Sequence, residues 1–278
     1  GGGAVGRAAH STPSEPALPW TRRDTAIALA LAAAAFAYFW PLFAPGALRR
    51  WFVDGDFIDQ FYAFARYEAA ELGHGRLPMW NPYAYGGGPF WADVQAAVAY
   101  PPGLAAVGAS LALAGGMTVA ALQLEAVAHV ALATVFTYVF ARRVIGARGG
   151  AALAAVAFGF GGYLTGYPPL QLAVLESNAW LPLALLAVER VVASGAGGDR
   201  SDDGSPSAER RARVVDVALL AFALAMAVLA GHPQSALYLG YATVAYALWR
   251  TYPWRRTPRR VWTSLALGVA GGLGLSAA

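Results

Sequence analysis

From residue 25 onward the sequence keeps returning to apolar stretches about as long as a bilayer is thick. The runs are Thr25–Phe43, Met117–Phe140, Ala151–Tyr167, Trp180–Ala193, Val214–Ala230 and Ser235–Leu248, with another starting at Val261. A helix of about 20 residues spans the hydrocarbon core, and closed helical hydrogen bonding is what lets a backbone cross it. These runs therefore predict an all-α, polytopic transmembrane bundle. The chain is 58% hydrophobic and 13% charged, too apolar for an ordinary soluble domain. Cys is absent, so thiol chemistry, disulfides and thiolate metal sites are excluded.

The basic residues are all arginines, and they fall in the gaps between apolar runs rather than on one patch. That distribution argues against nucleic-acid binding and for a role in topology. If six spans alternate, Arg22/Arg23, Arg142/Arg143/Arg148, the Arg190–Arg213 group and the Arg250–Arg260 group share one side. The positive-inside rule makes that side cytoplasmic. The first run is longer than a signal-peptide core and lacks a small-x-small cleavage site, so it reads as an uncleaved span with a cytoplasmic N-terminus. Residues 1–23 read as a disordered cytoplasmic tail, 24–278 as the membrane domain and 195–213 as a flexible cytoplasmic linker. Pro101–Gly116 is too short to cross and reads as a helix at or dipping into the interface.

The opposite side receives residues 46–100, the first and longest extracytoplasmic loop, expected to carry short helices. It also receives the Pro168–Asn178 connection and the Gly231-His232-Pro233-Gln234 turn. The loop opens with Asp54, Asp56 and Asp59 beside Gln60. A helix over Asp56–Glu71 sets Asp56 and Gln60 one turn apart on one face. A carboxylate there suits a general base or an oxygen ligand for a hard cation; a capping Asp on a solvated helix fits the same pattern. Trp80, Tyr83, Tyr85, Phe90 and Trp91 offer flat faces to a sugar or prenyl chain, or an interfacial aromatic belt. His232 suits a phosphate or a helix cap. Gln171, Glu176 and Asn178 either line a cleft or supply loop polarity. Glu125 and His129, one turn apart within a span, are expected to face the bundle interior as a packing hydrogen bond, since they lack further metal ligands.

Several of these pieces recur together. The order GD-x-x-x-Q (Gly55, Asp56, Gln60), G-x-LPMWNP (Gly75, Leu77–Pro82), GGxPF (Gly86, Gly87, Pro89, Phe90), Gln95 and YPP (Tyr100–Pro102) resembles the YfhO-like bacterial membrane proteins. FGFGGYLTG (Phe158–Gly166), AWLPLALLAVER (Ala179–Arg190) and GHPQSALY (Gly231–Tyr238) extend the likeness from about residue 50 to 240. Members of that family are similar to GT-C-type glycosyltransferases, which use polyprenyl-phosphate sugars outside the bacterial cytoplasmic membrane. They are longer than this chain, with more spans, so it is expected to be an N-terminal fragment. Where the family often has Pro a few residues after the Gln, this chain has Ala63-Phe64.

The resemblance implies that Asp56 holds the position of the GT-C acidic residue. The expected activity is an inverting transfer of a sugar to a cell-envelope glycan, teichoic acid or protein. Asp56 would deprotonate or orient the acceptor hydroxyl. Asp59, Gln60, Trp80, Asn81, Tyr83, Gln95 and Gln234 would position donor or acceptor. Arg66, Arg76 and His232 would meet the leaving phosphate. A divalent cation such as Mg or Mn, if used, would sit on Asp56 and Asp59. Pro101–Gly116 would present the prenyl chain. Two alternatives stay open: a transporter or flippase of lipid-linked glycans, and a non-catalytic envelope assembly protein.

Overall fold

The computed structural model describes residues 19–52, 55–84, 86–166, 169–195 and 205–277. Asp54, Tyr85, the tail before Pro19 and the middle of the 195–213 linker lie outside the described residues. What is described is mostly helical, with strands confined to one short hairpin. In that hairpin β1 (Trp80–Asn81) pairs antiparallel with β2 (Gly88–Pro89), two residues each. Among the described residues three helices are long and apolar enough to cross a membrane: Val119–Ile145, Leu172–Gly195 and Ser207–Leu229. That is fewer than the six spans expected.

The differences have local causes. Helix α1 (Arg22–Tyr38) stops short of Phe43 because Pro41 disfavours the α-conformation before it, and a 3-10 turn Trp40–Leu42 follows. In the loop a π-helical turn (Phe57–Tyr62) runs into α2 (Ala63–Gly73). Helices α3 (Pro101–Ala114) and α4 (Val119–Ile145) come next. The expected span 151–167 is instead α5 (Arg148–Gly159) and a single turn α6 (Gly162–Thr165), broken at Phe160-Gly161. The 12 residues of α5 reach about 18 Å, short of the roughly 30 Å hydrocarbon core.

The expected span 180–193 starts earlier, because the preceding connection is itself helical from Leu172. It forms α7 (Leu172–Ala179) and α8 (Leu181–Gly195). Pro182 cannot donate to the Asn178 carbonyl, so the two pieces meet in a break at Trp180 rather than a continuous ladder. Helix α9 (Pro206–Leu229) takes up the end of the expected linker. Helices α10 (Pro233–Arg250) and α11 (Arg259–Leu275) close the chain.

Packing centres on α4, which contacts α1, α3, α5, α7 and α8; α8 in turn contacts α9, α10 and α11. The α4–α5 contact is close because Gly159 presents no side chain. A Cβ built there would stand 1.9 Å from Thr134 Oγ1. Gly159→Leu is expected to destabilise the bundle by about 3 kcal/mol through overpacking. Unfolding of detergent-solubilised protein checks this, and Thr134→Ala should restore part of the loss.

The two ends of the bundle differ in chemistry. At one end the buried Asp24 accepts from Arg142 Nε at 2.8 Å, Arg148 Nε at 3.1 Å and Tyr138 Oη at 3.1 Å. Arg190 pairs with Asp216 at 2.7 Å, and Arg250 and Tyr246 both bond Glu189. Arginines read from sequence as topology signals are thus also ion-pair partners. At the other end residues 55–100 fold down onto the helices. Phe57, Phe61 and Ala69 join the core, Tyr62 Oη donates to the Met117 carbonyl, and Tyr100 reaches Trp180. The loop is built into the bundle rather than laid on its surface.

Candidate functional site

A cleft of about 570 Å³ opens among the loop elements. Its back wall is the helix face that repeats as Gln60, Phe64 and Tyr67, four and three residues apart. The front wall is the β1 end, with Asn81 and Tyr83, and the floor is Asp93 and Gln95. Asp56 and Asp59 complete it where the π-helical turn begins. Such turns are uncommon and frequent at functional sites.

Hydrogen bonds fix the walls. Gln60 Nε2 donates to Gln95 Oε1 at 2.7 Å, across 35 residues of chain. Tyr67 Oη donates to the Trp80 carbonyl at 2.6 Å, and the Tyr83 amide donates to Asn81 Oδ1 at 2.9 Å. The Asp93 carboxylate takes the Gln95 amide at 3.0 Å. The Asp56 side chain makes no capping hydrogen bond.

Of the residues expected to act on substrate, Asp56, Asp59, Gln60, Asn81, Tyr83 and Gln95 line this one cleft. The remainder lie elsewhere. The Trp80 indole packs over Gly87. Arg66 lines a separate cavity between α2 and the α3–α4 turn. Arg76 is exposed and gives Nε and Nη2 to the Glu71 carboxylate at 2.8 Å each. That pairing holds Glu71 below its usual range. His232 caps α10, its Nδ1 accepting the Ser235 amide at 3.1 Å, and burial lowers its basicity. Gln234 donates to Tyr238 Oη at 3.0 Å on the surface.

The GHPQ turn nevertheless supports the cleft floor. Gly231, at φ +83°, backs so closely onto Val94–Ala97 that a Cβ would meet the Val94 carbonyl at 2.3 Å. Tyr67 and Asp93 were not singled out from sequence. The signal for Tyr67 was its place seven residues after Gln60 on the same helix face.

The other face of the same helix, Phe61, Ala65 and Glu68, lines a second cavity of about 50 Å³ inside the bundle. Glu125 of α4, Glu176 of α7 and Tyr100 also line it, and Phe64 and Gln95 are shared with the cleft. Glu125, His129 and Glu176 bring donor atoms within 4.8 Å of one another. The expectation that Glu125 and His129 lack a further ligand is therefore corrected: the third member comes from α7, whose Glu176 is buried helix rather than loop. Among the described residues this is the one group of three or more that could hold an ion, and Asp56 and Asp59 belong to no such group.

His129 itself is tied on both nitrogens. Nδ1–H donates to the Glu125 carbonyl at 2.9 Å, since a carbonyl can only accept. In the neutral ring Nε2 then accepts from Tyr100 Oη at 2.6 Å, and Tyr100 accepts from Trp180 Nε1 at 2.9 Å.

Burial pushes the Glu68 carboxyl from 4.5 up to about 8, with the Glu125 charge adding to the shift. The native state therefore holds this proton more tightly than the unfolded chain does. Its stabilising contribution is complete below about pH 4.5 and is lost as pH rises towards 8. Unfolding followed in EDTA from pH 5 to 8 should show falling stability. Glu68→Gln should flatten that slope and raise the midpoint at pH 8; an unchanged slope would contradict the assignment. Comparison with family models, curated proteins and solved structures finds no match to this chain.

Proposed function

We propose that this chain belongs to a membrane glycosyltransferase of GT-C type. It would transfer a sugar from a polyprenyl-phosphate donor to a cell-envelope acceptor on the extracytoplasmic face of the bacterial cytoplasmic membrane. The observation that carries the reading is the convergence of Asp56, Asp59, Gln60, Asn81, Tyr83 and Gln95 on one open cleft. Carboxylates and amides match sugar hydroxyls as acceptors and donors, and the Tyr67 and Tyr83 rings offer faces to a pyranose. Among the described residues no Arg or His lines the cleft, so it suits the uncharged sugar better than the donor phosphate.

In this reading the acceptor hydroxyl gives its proton to Asp56 as its oxygen attacks the anomeric carbon. The bond from that carbon to the lipid phosphate oxygen breaks, and the phosphate leaves with the electron pair. Gln60 and Gln95, locked to each other, hold hydroxyl groups without moving during the step. If a divalent cation takes part, Asp56 and Asp59 are the cleft carboxylates that would hold it. Arg76 already serves Glu71, and Arg76→Ala is expected to leave the transfer rate within about twofold.

The buried acids of α4 and α7 and the break at Trp180 favour one second reading, a carrier of lipid-linked glycans. Full-length protein in liposomes, given a radiolabelled polyprenyl-phosphate sugar and an envelope acceptor fraction, separates the two. Label appearing on the acceptor supports transfer. Labelled lipid crossing between leaflets, with no label on the acceptor, rejects transfer in favour of the carrier.

A further inference from the structure

We infer that α2 and the α3–α4 hairpin form a binding site for one anionic phospholipid, with its phosphate on Arg66 and an acyl chain between the hairpin helices. Two adjoining hollows build it. The first, of about 670 Å³, lies between α2 and the α3–α4 turn, where Tyr62, Arg66, His74, Gly115, Gly116 and Thr118 line it. The second, of about 330 Å³, follows the seam of α3 and α4 from Thr118 to Leu132. Ala114 and Thr118 line both, so the polar hollow borders the apolar one.

Each hollow matches one end of such a lipid. Among the described residues no acid lines the first, and Arg66 there makes no hydrogen bond or ion pair. A guanidinium without a counter-charge suits phosphate oxygens, which it can meet two at a time. With Nδ1–H given to the Ala70 carbonyl at 2.6 Å, a protonated His74 has Nε2–H left for the same anion. A Cβ at Gly115 or Gly116 would meet nothing within 4 Å, so the turn leaves room for a headgroup. In the second hollow the small side chains of Ala106, Ala109, Ala121 and Ala128 keep the seam open. Leu113 and Leu124 line it while 89% and 49% exposed, as lipid-facing side chains are. Glu125 and His129 on this wall are engaged elsewhere, with Glu176 and with Tyr100. Thr118 to Leu132 covers about 21 Å of helix, the depth of one leaflet in a bilayer about 40–45 Å thick with its headgroups. A charged mouth over an apolar seam of that length selects a lipid of the loop-side leaflet over a soluble anion.

The site stands apart from the transfer reaction, because Gln60, Phe64 and Tyr67 face the cleft whereas Tyr62, Arg66 and Gly73 face this hollow. The probe is phosphatidylglycerol with a diazirine midway along one acyl chain, at trace level in phosphatidylcholine nanodiscs holding the full chain. After illumination, peptide mapping should place most of the label on the α3–α4 seam, and excess unlabelled phosphatidylglycerol should compete it away. Arg66→Gln should cut seam labelling about fivefold, the worth of one arginine beside an anionic lipid, and Arg66→Lys should keep most of it. Gly116→Asp, which fits the open turn but adds a like charge, should lower labelling at least as far. Unfolding midpoints of these variants should match wild type. Label spread evenly over the bilayer-facing helices would overturn the inference. So would seam labelling indifferent to Arg66→Gln, or equal labelling by a diazirine phosphatidylcholine. Competition by inorganic phosphate would make the ligand a soluble anion, and competition by polyprenyl phosphate at far lower concentration would make it the donor lipid; either overturns the phospholipid. Labelling lost in Arg66→Gln together with a lowered midpoint would mark Arg66 as structural and overturn its role.

Discussion

Asp56→Asn is expected to lower the rate of sugar transfer by about 10³-fold, the usual scale for loss of a positioned general base. That corresponds to about 4 kcal/mol of transition-state stabilisation. Asn has the same shape and sits at the start of the same π-helical turn, where Asp56 makes no capping hydrogen bond that folding would miss. The change therefore removes proton acceptance and little else. Its signature is a fall in kcat with KM nearly unchanged, because the acceptor remains held by Gln60, Gln95 and Asn81. Asp59→Asn, one turn-position away in the same cleft, should cost less and show mainly in KM. Transfer by Asp56→Asn within about threefold of wild type would remove Asp56 from the chemistry.

The second large effect lies at the other end of the bundle. Asp24 is fully buried and joins the start of α1 to the end of α4 and the start of α5. Its partners are not equally dependent on it. The Arg142 side chain is 7% exposed and that of Arg148 is 37% exposed, so Arg148 can turn to water whereas Arg142 cannot. Asp24→Leu leaves a buried guanidinium without its counter-charge, the costly way to break such a pair. The expected outcome is a several-fold or greater loss of folded protein recovered from the membrane. Asp24→Leu/Arg142→Leu should recover much of that yield, because replacing both charges with apolar groups is often tolerated. Recovery of Asp24→Leu at wild-type levels would contradict this account of the end.

Much of this architecture is legible in the sequence, and the misses have physical reasons. Apolar runs announce α4, α8 and α9 because length and composition alone let a helix cross hydrocarbon. They overstate residues 151–167, where Gly159, Gly161 and Gly162 keep the apolar character but end the helix. They understate α7, whose Glu176, Ser177 and Asn178 look like a polar connection until packing against α4, α9 and α10 buries that turn. The cleft was readable through the spacing of Asp56 and Gln60, and Tyr67 continues the same face. Glu68 was not readable, because its burial depends on α2 lying against α3 and on Glu125 across the cavity. The Glu125–His129 pair is visible as an i, i+4 spacing; its third partner comes from a helix 47 positions further on, a tertiary fact with no local trace.

Transfer at an outer cleft requires above all that the cleft and the arginine-rich end lie on opposite sides of the membrane. The chain contains no cysteine, so a single introduced one reports its own side. Tyr83, at the cleft, is 85% exposed and Tyr252, beside the Arg250 end, is 73% exposed. The chain carrying Tyr83→Cys or Tyr252→Cys would be treated with a membrane-impermeant maleimide in intact cells and again after permeabilisation. The account predicts labelling of Tyr83→Cys in intact cells and of Tyr252→Cys only after permeabilisation. Labelling of Tyr252→Cys in intact cells, or protection of Tyr83→Cys until the membrane is opened, would contradict it.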